Sequence, residues 1–262
     1  MGALALEMLA LVGGGRARAA EGQGSEHAYE LSYELDLPIL LLSASLSSSY
    51  LYMNQAAPPR CAPLCSRSDV NFFDRPFAGL YSPTWETVGN VVTASTLVLV
   101  PASLFIHELS WRGVGDVLVV GEAILLTAAI QVPVSYAVNR PRPLLYSQKA
   151  PLAEREVPRS GGAFFSGHVA NCLAATFVAT TALRRTEHRQ LAWAVLAVGL
   201  AGSAFVGVAR VASGNHFPSD VLAGYAVGAS IGIAVPALHA RHLELAPLAE
   251  DRAGGLVVSG AF

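Results

Sequence analysis

Six apolar runs dominate the chain and leave few options for its fold. They lie near residues 37–53, 88–106, 114–138, 168–183, 191–209 and 219–240. Most approach the ~20 residues that a helix needs to cross a bilayer. In hydrocarbon every backbone N–H and C=O must be satisfied within the protein, so such runs are read as helices. Composition agrees: 53% of residues are hydrophobic and 14% are charged, against roughly 25% charged in a soluble domain. The expected fold class is all-α, an integral membrane bundle of about six helices with an active site at one membrane face. A formal net charge of -2 argues against nucleic acid as a partner, because no basic stripe can neutralise successive phosphates. Any anionic partner must be met locally.

The chain divides into a signal or anchor segment (1–30), a first apolar segment with a cysteine-containing outer loop (31–84), a core (85–242) and a polar tail (243–262). Ala17-Arg18-Ala19 resembles a signal-peptidase site, but Glu7 interrupts the apolar run and no basic stretch precedes it. A cleaved leader and an uncleaved anchor both stay open. The short loop "RRTEHRQ" (184–190) is basic, which favours the cytoplasmic side. The connections at 139–167 and 210–218 then lie outside, facing the periplasm if the membrane is a bacterial inner one. Cys61 and Cys65 sit in the proline-rich loop "CAPLC" on that side, with no second cysteine pair. A loop disulfide is expected there in preference to a zinc site. Cys172 lies in an apolar run and reads as a small buried side chain. The run "LPILLLSASLSSSYLYM" is short and serine-rich, so whether it spans is open. Small residues recur in "LAVGLAGSAFVGVA" and "LAGYAVGASIGIA", a pattern that lets membrane helices approach closely.

Three polar clusters stand at ends of apolar runs: "NRPRP" (139–143), "FFSGH" (164–168) and the stretch from Arg210 to Asp220 that includes "SGNHFPSD". All fall on the same predicted face. Together they hold what phosphoryl chemistry requires. Arginine presents a planar fork of donors matched to phosphate oxygens and stays charged. Ser166, Gly167 and His168 open a helix, whose first N–H groups attract an anion. A histidine oriented at one ring nitrogen is free to attack phosphorus with the other. Asp220 is the expected orienting partner of His216.

These residues resemble the membrane type 2 phosphatidic acid phosphatases, which share their site with vanadium haloperoxidases. Arg142-Pro143 fits the end of the family's first motif, Ser166-Gly167-His168 its second, and Arg210, His216 and Asp220 its third, over roughly residues 85–240. The resemblance implies His216 as a nucleophile forming a phosphohistidine and Asp220 as its orienter. It implies His168 as the acid that protonates the leaving group, and Arg142, Ser166, Gly167 and Arg210 as phosphate binders. The implied substrate is a lipid phosphate monoester or a polyprenyl diphosphate, taken from the membrane lipids, with no cofactor and no metal. Two positions depart from the family's pattern: Ser135 stands where a lysine is usual, and Ala209 where a serine precedes the arginine. Ser135 supplies no charge, so weaker phosphate binding is expected, with Arg140 and Lys149 as nearby cations. A vanadate-dependent haloperoxidase-like enzyme, or a non-catalytic membrane protein with a degenerate site, are the alternatives.

A metal hydrolase is the sharpest chemical rival, since two histidines and a carboxylate can hold a divalent ion. The adjacent arginines would repel a cation and attract an oxyanion. Arg184, Arg185, His188 and Arg189 read as a solvated loop, and His107, His239 and His242 as helix-end residues without chemistry. Trp85, Trp111 and Trp193 read as interfacial anchors. Asp116 and Glu122 differ, because intramembrane carboxylates are costly and face a protein interior.

Overall fold

The computed structural model describes residues 28–29, 31–48, 58–59, 61–105, 111–186, 188–239, 244–250 and 253–259. Residues 1–27 and 30 of the signal or anchor segment, His107 and His242 lie outside these residues. Six long helices follow in order: α1 (Tyr33–Ser48), α2 (Pro83–Ala102), α3 (Trp111–Val138), α4 (Gly167–Arg185), α5 (Arg189–Ala212) and α6 (Pro218–Leu238). Their starts and stops follow local chemistry. Ser82 caps α2 by accepting from the Trp85 N–H at 3.4 Å, with Pro83 in the first turn, where its missing N–H costs nothing. α3 stops at Val138 because Asn139 takes a positive φ of 43° and Pro141 follows. α6 opens on Pro218, and the Asp220 carboxylate accepts from the Phe217 N–H at 2.7 Å.

Four of these helices, α2, α3, α5 and α6, are long and apolar enough to cross a membrane, and the chain is an integral membrane protein. Leu118, Val198, Leu222 and Ile233 are exposed on them, as lipid-facing side chains must be. α4 is less apolar for a physical reason. It packs against α2, α3, α5 and α6, so protein rather than lipid surrounds Thr176 and Thr180, which are buried. The Thr176 hydroxyl donates to the Cys172 carbonyl at 2.7 Å. Cys172 itself is a buried free thiol.

Close approach of α6 to α4 rests on glycines four residues apart. A Cβ at Gly228 would lie 2.5 Å from the Ala170 carbonyl oxygen, and one at Gly224 would lie 2.6 Å from that of Ser166. These obstacles are backbone and cannot swing aside. Gly228→Leu should therefore lower stability by about 1–3 kcal/mol through overpacking, measured as thermal unfolding in detergent. An unchanged transition would show that the two helices separate freely.

Among the described residues α1 covers 33–48 of the first apolar segment and packs along α3. Its apolar part, Asp36–Ser48, is shorter than a span, and residues 49–57 lie outside the described ones. The C-terminal residues, expected as a polar tail, pair as an antiparallel hairpin of β1 (Glu244–Glu250) and β2 (Ala253–Ser259).

Candidate active site

The three polar clusters meet at one end of the bundle, and backbone hydrogen bonds stitch them together. The Ser166 N–H donates to the Asp220 carbonyl at 3.1 Å, the Leu144 N–H to Gly214 at 3.1 Å and the Ala163 N–H to Arg140 at 3.1 Å. The loop before α2 joins them, with the Gly79 N–H donating to Pro143 at 2.8 Å and Ser82 to Ser213 at 3.2 Å. That loop carries the Cys61–Cys65 disulfide. Gly214 turns the chain between α5 and α6 with φ of 80°, its Cα facing the Leu80 carbonyl. A side chain there would meet both obstacles. The turn back to α6 is tight: the N–H groups of Asn215 and His216 both donate to the Arg210 carbonyl. This places His216 beside Arg210 rather than merely six residues after it.

His216 is buried, and its Nδ1 lies 2.6 Å from the Ala163 carbonyl oxygen. A carbonyl only accepts, so Nδ1 carries the proton and Nε2 presents its lone pair. This corrects the expected pairing. Asp220 does not orient His216 through that nitrogen. Its carboxylate caps α6 at Phe217 and accepts from Arg140 Nη1. It holds the His216 loop in place rather than the His216 ring. Burial first, then the charges of Arg210 and Arg142, hold His216 well below the usual histidine pKa, with His168 acting in the same direction. The ring is therefore neutral at physiological pH.

Arg142 donates to the Asn215 amide oxygen at 2.7 Å, and Arg210 to that of Asn90 at 2.9 Å. The amide oxygens of Asn215 and Asn90 orient the two guanidinium groups. Ser166 is the N-cap of α4 and Gly167 its first residue. The Ser166 and Ser160 hydroxyls and Arg210 Nε are buried without a hydrogen-bond partner among the described residues. Unsatisfied buried polar groups are rare and ask for a ligand or water. Gly167 packs against Gln131, where a Cβ would lie 3.1 Å from Cγ.

Ser135 points its hydroxyl at its own helix, donating to Val132 at 2.9 Å. The two cations that were candidates to replace the missing lysine do not do so. Lys149 is exposed. Arg140 is committed to a clamp: Nη2 donates to Asp74 at 2.7 Å and Nη1 to Ser219 at 2.8 Å, and its guanidinium lies 4.7 Å from the centre of the Phe217 ring.

Asp74 is the residue that sequence reasoning missed. It is fully buried in the loop before α2. It accepts from the Ser219 N–H at 3.1 Å, the Ser219 hydroxyl at 2.6 Å and the Asn71 amide at 2.7 Å, besides Arg140. Burial opposes its ionisation, but the hydrogen bonds from Ser219, Asn71 and Arg140 prevail and keep its pKa below the usual carboxylate value. No motif or spacing in the sequence marks it.

Comparison with known proteins matches residues 116–244 to a family model described as the PAP2 superfamily. Among solved structures, a transmembrane PAP2 type phosphatidylglycerolphosphate phosphatase from Bacillus subtilis is similar at 20% sequence identity. The match covers 79% of this chain and 96% of that one, with a TM-score of 0.44. No curated protein matches the sequence. The matched segment contains Arg142, Ser166, Gly167, His168, Arg210, His216 and Asp220, and over residues 116–244 this chain belongs to the PAP2 superfamily.

Proposed function

We propose that the protein is a membrane phosphatase that hydrolyses a lipid phosphate monoester or polyprenyl diphosphate through a phosphohistidine at His216. The observation that carries this reading is the combination of a neutral histidine with a free Nε2 and a surround of anion donors. Those donors are Arg142, Arg210 and the unpartnered Ser166 hydroxyl. In the first step Nε2 attacks phosphorus and the P–O bond to the lipid breaks. His168, which burial and the charges of Arg210 and Arg142 keep unprotonated in the substrate-free enzyme, takes up a proton when the phosphate dianion binds beside it and gives that proton to the departing oxygen. In the second, water attacks the phosphohistidine, with His168 taking its proton, and phosphate leaves. Charge on the equatorial oxygens falls on Arg142, Arg210, Ser166 and the first N–H groups of α4. The cysteine loop at the site's end forms a disulfide, which supports an outer, oxidising face for the reaction.

The test is a panel of lipid phosphates and polyprenyl diphosphates assayed for phosphate release, with the labelled phosphoenzyme trapped by rapid quench. Release should be blocked by vanadate, which mimics the five-coordinate state, and should persist in chelator. Abolition by brief chelation would overturn the assignment. Ser135→Lys restores the charge that the family pattern places there and should lower KM by about 5–10-fold with little change in kcat, as expected of a gain in uniform binding. An unchanged KM would show that the serine's position does not face the phosphate.

A further inference from the structure

Glu122 and His239, left without a role by the chemistry above, meet a third residue at the other end of the bundle. His239 caps the C-terminus of α6, nineteen residues beyond Asp220 and so roughly 28 Å along the helix from the phosphate site. Its Nε2 lies 2.8 Å from Asp36 Oδ1 on α1 and 3.2 Å from Glu122 Oε2 on α3. All three residues are buried. The sequence places them far apart and marks only Glu122 as unusual.

The geometry sets a condition on what occupies this point. His239 Nδ1 is 2.9 Å from the Val235 carbonyl, which can only accept, so Nδ1 carries a proton. The Nε2 lone pair then faces two carboxylate oxygens, and a positive species must sit between them. A proton gives one N–H for two carboxylates and leaves the trio with a net charge of about -1 in a buried place, which is costly. The described charges next to it do not repair this. Arg185, stacked on the Tyr29 ring that packs edge-on against His239, is offset by Asp116, which also acts on Tyr29. A divalent cation brings the trio to zero.

The two spacings from His239 agree with an ion, and the three ligand atoms all lie within 4.8 Å of one another. Zinc bound about 2.0–2.1 Å from nitrogen and oxygen ligands holds neighbouring ligand atoms about 2.9–3.4 Å apart, near the 2.8 and 3.2 Å found here. The surroundings are those of a metal site as well. The second histidine nitrogen donates to a backbone carbonyl, and the second Asp36 oxygen accepts from the Ser32 N–H at 2.6 Å. The Asp36 side chain keeps 11% of its surface exposed, which leaves a way in. One nitrogen and two oxygens suit a borderline ion such as zinc better than calcium or magnesium, which prefer all-oxygen shells. We propose that Asp36, Glu122 and His239 bind one zinc-class divalent ion that fastens α1 to α3 and α6.

The test uses untagged full-length protein in detergent, stripped with chelator and dialysed against zinc, manganese, calcium or magnesium chloride. One zinc per chain should be retained, with the thermal transition raised by about 5–10 °C at 100 times Kd. Cobalt(II) should give visible absorption bands of a bound, low-symmetry ion. Glu122→Gln and Asp36→Asn keep shape and hydrogen bonding, so the fold survives for comparison, and each should weaken retention by more than about 10-fold. Phosphate release by the stripped protein at low temperature should persist, since the site lies far from His216. Wild-type protein that retains no ion and shows no metal-dependent transition would overturn the proposal in favour of a protonated clasp. Equal retention by the variants would overturn it by placing the ion elsewhere.

Discussion

His216→Ala should leave a folded, membrane-inserted protein that forms no phosphoenzyme and releases phosphate at a rate reduced on the order of 10⁴-fold or more. The size follows from what is lost. Without Nε2 the reaction must proceed by direct attack of water at a site shaped for two displacements. The anion donors would still bind substrate, so KM should change far less than kcat. Folding should tolerate the change because the ring's hydrogen bond among the described residues is to Ala163, and the α5–α6 turn is held separately by the backbone of Gly214, Asn215 and His216. The pH profile is a second reading of the same residue. Its pKa is held well below the usual value by burial and by Arg210 and Arg142. In the substrate-free enzyme the nucleophile therefore stays neutral as pH falls through 6.5, the ordinary histidine value, and kcat/KM should show no acid limb there from His216. Unimpaired turnover in the alanine variant would sink the phosphohistidine mechanism.

Asp74→Ala should cost about 3 kcal/mol of stability and lower the thermal transition by roughly 6–12 °C for a protein of this size. It should also reduce kcat/KM by about 10–100-fold. Asp74 is the anchor through which the loop before α2 holds Arg140 and the first turn of α6. Its removal leaves Ser219 N–H and Oγ and one arm of Arg140 without their acceptor. Arg140 would then keep Asp220, Ser219 and its stacking on Phe217 but lose its tie to the loop before α2, and the turn bearing His216 would loosen. Asp74→Asn keeps an oxygen acceptor and a similar shape but loses the charge, so its effects should be smaller in both measurements. If Asp74→Ala melts with the wild type, Asp74 contributes nothing to the clamp and the remaining contacts of Arg140 suffice.

The helices and the turn that carries His216 were legible because their determinants are local. Apolar runs of spanning length, prolines at helix starts and glycines at four-residue spacing act within one or two turns of chain. The spacing from Arg210 through His216 to Asp220 works for the same reason: a helix end, a tight turn and a helix start bring the three together whatever the rest of the bundle does. The misreadings are of another kind. Asp220 was expected on the His216 ring because it is near in sequence, yet the Ala163 carbonyl, fifty-three residues away, holds that nitrogen. Arg140 was a candidate to replace the missing lysine, but two buried carboxylates hold it in a clamp. His239 is the helix end that the sequence implies, and what the sequence does not show is that Asp36 and Glu122 of two other helices lie against it.

The sequence by itself determined that the chain is a membrane bundle and that its three polar clusters stand at helix ends on one side of it. The tertiary structure alone decided which atoms of those residues are available. Ring tautomer, the commitment of Arg140 and the burial of Asp74 depend on carbonyls and carboxylates supplied by distant loops, and the meeting of Asp36, Glu122 and His239 depends on three helices packing side by side. Hydrogen-bond partners in a buried site are assigned by position in space, and a linear pattern constrains position only over the few residues that one turn spans.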